Sequence, residues 1–229
     1  MIATHTEQRA GRLLWTGIVA APLAVALFAW LAGRVAAGAP IWFDAGIRDF
    51  VHRHATPALT SLMRFVTALG EQGPLVSLSA LAVAALLAAR WRRAAGSFVV
   101  TMVGAFLLDT ALKLLFHRPR PAAFFATPEP ASYSFPSGHA LFSICLWGAL
   151  AAVVTARVRS LAACIAIWAV AGAAMCLLGL SRIYLGVHYP SDVLAGYAAA
   201  VVWVTVVASV DRLLQRRARR AMVVVRKAG

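Results

Sequence analysis

LAACIAIWAVAGAAMCLLGL, SRIYLGVHYPSD and VLAGYAAAVVWVTVVASV, residues 161–180, 181–192 and 193–210, are consecutive, and their reading decides the fold. The first and third pieces are uncharged and apolar, each close to the run of about 20 residues that a helix needs to cross a hydrocarbon layer of about 30 Å. The middle piece carries Arg182, His188 and Asp192. Two spans joined by a short polar hairpin are the natural solution, because backbone in lipid must satisfy its own hydrogen bonds. The hairpin then lies at one membrane surface.

Working outward, further apolar runs lie at Leu13–Leu31, Pro74–Ala89, Ala94–Leu112 and Ala140–Ala156. Together with Leu161–Leu180 and Val193–Val210 they predict an all-α polytopic membrane protein of six transmembrane helices. Residues 1–12 read as an N-terminal tail, 13–210 as one membrane domain and 211–229 as a basic tail. The composition agrees: 62% of the 229 residues are hydrophobic and 13% charged, too apolar for an ordinary soluble domain. A cleaved leader is the alternative for the first run, but that run exceeds the 7–15 residues usual for such a segment. The second run is short and extends back towards Leu69, with Glu71 near the interface. Before it, Thr56 and Pro57 make a helix start, and Leu59, Leu62, Met63, Val66 and Leu69 recur at helical spacing. This segment reads either as a helix in the membrane interface or as an extension of the second span.

The net charge of +14 does not mark a nucleic-acid binder, because the basic residues fall between apolar runs instead of forming one soluble face. Their distribution predicts topology. One set of loops and ends holds Arg9, Arg12, Arg90, Arg92, Arg93, Arg157, Arg159 and seven residues of the tail, fourteen of the 22 Lys and Arg. The opposite set holds Arg34, Arg48, Arg53, Arg64, Lys113, Arg118, Arg120 and Arg182, accompanied by Asp44, Asp49, Glu71 and Glu129. The positive-inside rule therefore puts both termini in the cytoplasm and the hairpin of residues 181–192 outside. The tail, with Arg212, Arg216, Arg217, Arg219, Arg220, Arg226 and Lys227, suits anionic headgroups. Cys145, Cys164 and Cys176 lie within apolar runs, show no C-x-x-C pattern and read as small core residues.

Charged residues at the ends of spans are costly and mark function. Three segments supply them on the outer side: KLLFHRPRP (113–121), FPSGHA (135–140) and SRIYLGVHYPSD. Dispersed cations converging on one point suit a phosphate, whose oxygens match the planar fork of arginine. Gly138 leaves room for an oxyanion at the start of a span, where free N–H groups and the positive dipole end face the ligand. His188 and Asp192, four residues apart, fall on one helical face, so the carboxylate can orient the imidazole as in a triad. His188 is read as the nucleophile, and His139 as the acid for the leaving group and later the base for water. Asp109, one turn before Lys113, reads as its ion-pair partner, with direct catalysis as the minority alternative. Arg118 reads as an interface anchor or a second phosphate contact, with the anchor favoured, His5, His52 and His54 as surface residues, and Phe124 and Phe125 either as contacts to substrate tails or as interface residues.

The three segments resemble the signature of the type 2 phosphatidic acid phosphatase (PAP2) and vanadium haloperoxidase superfamily, K-x6-R-P, P-S-G-H and S-R-x5-H-x3-D, with every required position present. The resemblance implies that Lys113, Arg120, Ser137, Gly138 and Arg182 bind phosphate, that His188 becomes a phosphohistidine, and that no metal or other cofactor takes part. The implied partners are a lipid phosphate substrate and the bilayer of a bacterial inner membrane, with phosphatidic acid, phosphatidylglycerol phosphate and undecaprenyl diphosphate as candidate substrates. The sequence does not choose among these, and it carries no signal for an oligomeric state. A lipid phosphotransferase using the same pocket is an alternative. An anion transporter would leave the pairing of His188 with Asp192 unexplained, and the spans disfavour a soluble haloperoxidase.

Overall fold

A computed structural model describes the backbone of residues 5–128 and 130–228, and the side chains of residues 20–128, 130–218, 220 and 222. Glu129, residues 1–4 and the side chains of His5, Arg9, Arg12, Arg219, Arg226 and Lys227 lie outside the described residues. The described chain is helical, with no strand. In order, the helices are α1 (His5–Ala36), α2 (Trp42–Arg53), α3 (Pro57–Leu69), α4 (Gln72–Ala88), α5 (Arg92–Phe116), α6 (Gly138–Thr155), α7 (Leu161–Tyr184) and α8 (Pro190–Ala228). A π-helical turn, Ile144–Gly148, interrupts α6.

Among the described residues, α5, α6, α7 and the Pro190–Ala218 part of α8 are each long and apolar enough to cross a membrane. A fifth crossing is counted if α3 and α4, which meet at a 54° bend, form one broken span. The described apolar part of α1, Ala20–Ala36, is shorter than a full span. The second apolar run does not extend as a straight helix past Glu71. Its helix begins at Gln72, and the bend at Gly70–Glu71 separates it from α3, whose start is the expected one: Thr56 Oγ1 accepts from the Leu59 N–H at 3.2 Å and Pro57 occupies the first turn. The helix α2 was not expected, because Trp42–Arg53 mixes Asp44, Arg48 and Asp49 with apolar residues and has no long apolar run.

The helices are held by small residues and a few large anchors. Ala105 of α5, Leu141 and Cys145 of α6, and Ala199 and Ala200 of α8 form one buried cluster, against which Trp203 packs. The Trp203 indole N–H, which must find an acceptor when buried, donates to the Thr101 carbonyl at 2.9 Å. A second cluster, Leu31, Ala32, Ile41, Phe135 and Ala195, joins α1 to α8 and to the loop before α6. A third, Met63, Tyr184, Leu185 and Val187, packs α3 on the end of α7 and the hairpin after it. At the end of the bundle far from this hairpin, Arg93 pairs with Asp211 at 2.8 Å. The effect of these contacts is to bring the C-terminal ends of α5 and α7 and the N-terminal ends of α6 and α8 together.

Candidate functional site

At that junction lies a cavity of about 1140 Å³. One end is polar, lined by Lys113, Arg120, Gly138, His139, Arg182 and His188, and the other runs between α4 and α5 along Leu75, Val76, Val83, Leu87, Phe98, Met102 and Phe106. Six of the eight residues singled out in the sequence therefore share one chamber. Ser137 and Asp192 do not reach it and are fully buried behind it, linked by the Ser137 N–H donating to the Asp192 carbonyl at 2.9 Å.

Lys113 is placed by helix geometry. Asp109, one turn earlier on α5, accepts from its ammonium at 2.8 Å, the ion pair expected from the four-residue spacing. Gly138 lies against this pair: a Cβ there would come 3.1 Å from Asp109 Oδ1 and 3.3 Å from Lys113 Nζ. A side chain there would make the Asp109–Lys113 pair give way by a few tenths of an ångström, so glycine fits this close approach best. Lys113, Arg120 and Arg182 against Asp109 leave an excess of positive charge suited to a phosphate dianion. Arg182 Nε and Ser137 Oγ are buried donors with no partner among the described residues, as is the acceptor Asp109 Oδ1. Buried groups of this kind are rare in folded proteins and call for an explanation, and an oxyanion in the chamber would satisfy Arg182 Nε.

His188 has its proton assigned by its neighbours. Arg120 Nη1 is 3.0 Å from Nε2, and because arginine only donates, Nε2 carries the lone pair. Nδ1 then bears the hydrogen and faces Asp192 Oδ2 at 3.4 Å. Complete burial pushes the imidazole down to about pKa 4, against the opposing pull of Asp192 and with help from Arg120 and Arg182. It is neutral at ordinary pH, the form in which an imidazole nitrogen has a lone pair to offer. Arg120 itself is gripped by the Ser132 carbonyl at 2.7 Å, the Ser132 hydroxyl at 3.0 Å, the Tyr133 carbonyl at 3.2 Å and the Val187 carbonyl at 2.9 Å. His139 Nε2–H donates to the Thr67 carbonyl at 3.2 Å, and the Thr67 hydroxyl accepts from Arg182 at 2.5 Å.

Thr67 was not singled out in the sequence, and neither was Asp44. Arg118 is not an interface anchor: it is mostly buried between Asp44 at 3.0 Å and Asp192 at 2.6 Å, with its guanidinium 4.0 Å above the Tyr189 ring. Phe124 and Phe125 do not line the cavity. Phe124 stacks on the exposed His52 ring at 4.1 Å, and Phe125 stacks on Tyr184 at 5.4 Å. Among the described residues, no group of three His, Cys, Asp or Glu side chains is arranged to hold a metal ion.

The sequence profile of the PAP2 superfamily matches residues 94–216. An undecaprenyl-diphosphatase of Sulfolobus acidocaldarius is 29% identical over 162 residues, 69% of this chain and 73% of the relative. Phosphatidylglycerophosphatase B of Bacillus subtilis is 32% identical over 111 residues, 48% of this chain, which spans only 54% of that relative's length. A crystal structure of a transmembrane PAP2-type phosphatidylglycerolphosphate phosphatase from Bacillus subtilis superposes with a TM-score of 0.73 at 27% identity, covering 82% of this chain and 96% of that one.

Proposed function

The chain belongs to the PAP2 superfamily and is an integral membrane phosphatase, and on that premise we propose that it hydrolyses the phosphate of a lipid headgroup at the extracytoplasmic face through a phosphohistidine. The observation that carries this reading is the cavity itself. Its cationic end opens without a break into the apolar channel between α4 and α5, so one molecule with a phosphate head and a hydrocarbon tail fills both ends.

In the proposed reaction the phosphate enters between Arg120 and His188 and takes over the guanidinium N–H, which frees the Nε2 lone pair. Lys113, Arg182 and the N–H groups at Gly138 hold the oxygens that gain charge in the transition state. Nε2 attacks phosphorus, the P–N bond forms and the bond to the leaving oxygen breaks. His139, charged beside the incoming phosphate dianion, gives its Nε2 proton to that oxygen in place of the Thr67 carbonyl and is left as the neutral imidazole. Asp192 keeps the Nδ1–H and stabilises the imidazolium. Water, deprotonated by His139, then attacks phosphorus, cleaves the P–N bond and releases inorganic phosphate. No step requires a metal.

Phosphatidic acid, phosphatidylglycerol phosphate and isoprenyl diphosphates such as undecaprenyl diphosphate all fit this scheme, and the last two match the substrates in the names of the relatives. In a six-span arrangement α1 is the first crossing and α3 with α4 the second. The basic ends lie in the cytoplasm of a bacterial inner membrane, which puts the site outside. A phosphate-release screen across these lipids with the purified protein tests the reading. Release without an added acceptor alcohol is expected, and acid-labile phosphate on His188 should be trapped on quenching. Phosphate appearing only when an acceptor is present, or no release from any of the lipids, would overturn it.

A further inference from the structure

Outside the cavity, a chain of hydrogen-bonded charges begins on α2. Asp44, on the first turn of that helix, is 5% exposed. It accepts from the Ser191 N–H at 2.9 Å and the Ser191 hydroxyl at 2.6 Å at the start of α8, and from Arg118 Nη2 at 3.0 Å. The other nitrogen of the same guanidinium, Nη1, donates to Asp192 Oδ1 at 2.6 Å and to Ser191 Oγ at 2.8 Å. Asp192 Oδ2 is also held, by the Ser134 hydroxyl and by the Tyr189 N–H at 2.9 Å, and it faces His188 Nδ1. Two buried carboxylates thus share one arginine, and only one of them touches the imidazole.

An arginine belonging to Asp192 alone would neutralise the charge that has to stabilise the His188 imidazolium. Sharing the arginine with Asp44 leaves the group of three with a net negative charge, in surroundings where fixed charges interact strongly. We infer that Asp44 is a positioning residue for the reaction: acting through Arg118, it fixes the orientation of Asp192 and preserves its negative charge toward His188. It thereby makes the strength of the nucleophile depend on the docking of α2. The inference rests on the reading of His188 as nucleophile.

The test uses opposite charge removals in the full-length protein, assayed on phosphatidylglycerol phosphate. The charges around His188 other than this chain are Arg120 from the loop before α6, Arg182 of α7 and His139 of α6, and none of them is altered. Asp44→Asn keeps the shape and leaves Arg118 to Asp192. It is expected to lower kcat about tenfold, with KM within about twofold, and to shift the acid limb of the pH profile to lower pH. Arg118→Gln in the Asp44→Asn background removes one charge of each sign, so the fold is not left with two bare carboxylates. It leaves Asp192 with the same net negative charge as the wild-type trio and is expected to move the limb back up from its Asp44→Asn position toward that of the wild type. The titration midpoint of His188, read by nitrogen NMR of histidine-labelled protein, should shift in the same two directions whichever lipid is turned over.

An Asp44→Asn midpoint that stays where the wild type has it, or a double variant that moves it further down instead of back up, would overturn the inference, as would an unchanged kcat in Asp44→Asn. His188→Ala separates this from the underlying reading. Turnover persisting in His188→Ala removes the phosphohistidine itself, whereas turnover lost there with unmoved midpoints removes only the role of Asp44.

Discussion

Thr67 and Arg182 are 115 positions apart in the chain, and the arginine Nη1 donates to the threonine hydroxyl at 2.5 Å. The same threonine offers its carbonyl to His139. One residue, three positions before the bend between α3 and α4, therefore holds a cation and an imidazole of the site. The two contacts separate cleanly, because a substitution can remove the hydroxyl and leave the carbonyl.

Thr67→Val is such a substitution. It leaves a buried guanidinium N–H without its acceptor, which costs about 1–3 kcal/mol of stability. Because Arg182 is assigned to the phosphate and the carbonyl contact to His139 survives, KM should rise about tenfold while kcat falls less. Phosphate-release kinetics and a thermal melt check both statements.

Gly70→Ala addresses the other contact. A Cβ there would fall 2.6 Å from His139 Cδ2 and 2.9 Å from Leu178 Cδ2. The imidazole has to move, and a displaced general acid is expected to lose about a hundredfold in kcat, with more modest effect on KM. A variant with wild-type kcat would show that His139 does not need its present place.

The pH dependence follows from His188. Its imidazole is neutral above about pH 4 because burial outweighs the pull of Asp192. As the pH falls through that value Nε2 becomes protonated and cannot attack, so kcat/KM should decline on an acid limb near pH 4, not near the ordinary histidine value of 6.5. Stability changes with the same sign. Between 6.5 and about 4 the unfolded chain takes up a proton that the folded one refuses, so this residue makes folding progressively less favourable as pH drops across that window. A pH profile and melts at matched pH measure the two.

Removing metal is expected to do nothing. The proposed steps use cations of the chain itself, so activity should persist after dialysis against EDTA. Loss of activity with recovery on adding magnesium would contradict the assignment.

His188→Ala is expected to abolish turnover, with a loss of about 10⁴-fold or more, while leaving substrate affinity within a few-fold. Equilibrium binding of phosphatidylglycerol phosphate to this variant, measured beside its phosphate release, separates lost chemistry from lost binding.

What the order of residues determined by itself is local. Apolar runs are read from composition because lipid leaves the backbone no partner but itself. Asp109 with Lys113 and His188 with Asp192 are pairs four apart, and the pitch of a helix brings such side chains together whatever else the chain does. The three motif segments could be assigned to one site because each ends or begins an apolar run on the same side. Tertiary structure alone decided that Arg118 lies between Asp44 and Asp192, each 74 positions away, and that Thr67 reaches Arg182 and His139. It also decided that the second apolar run breaks at Gly70 and that α2 forms at all. These features depend on how one helix slides and turns against another, which is set by the packing of small and interchangeable apolar residues over the whole bundle and leaves no periodic mark in the sequence.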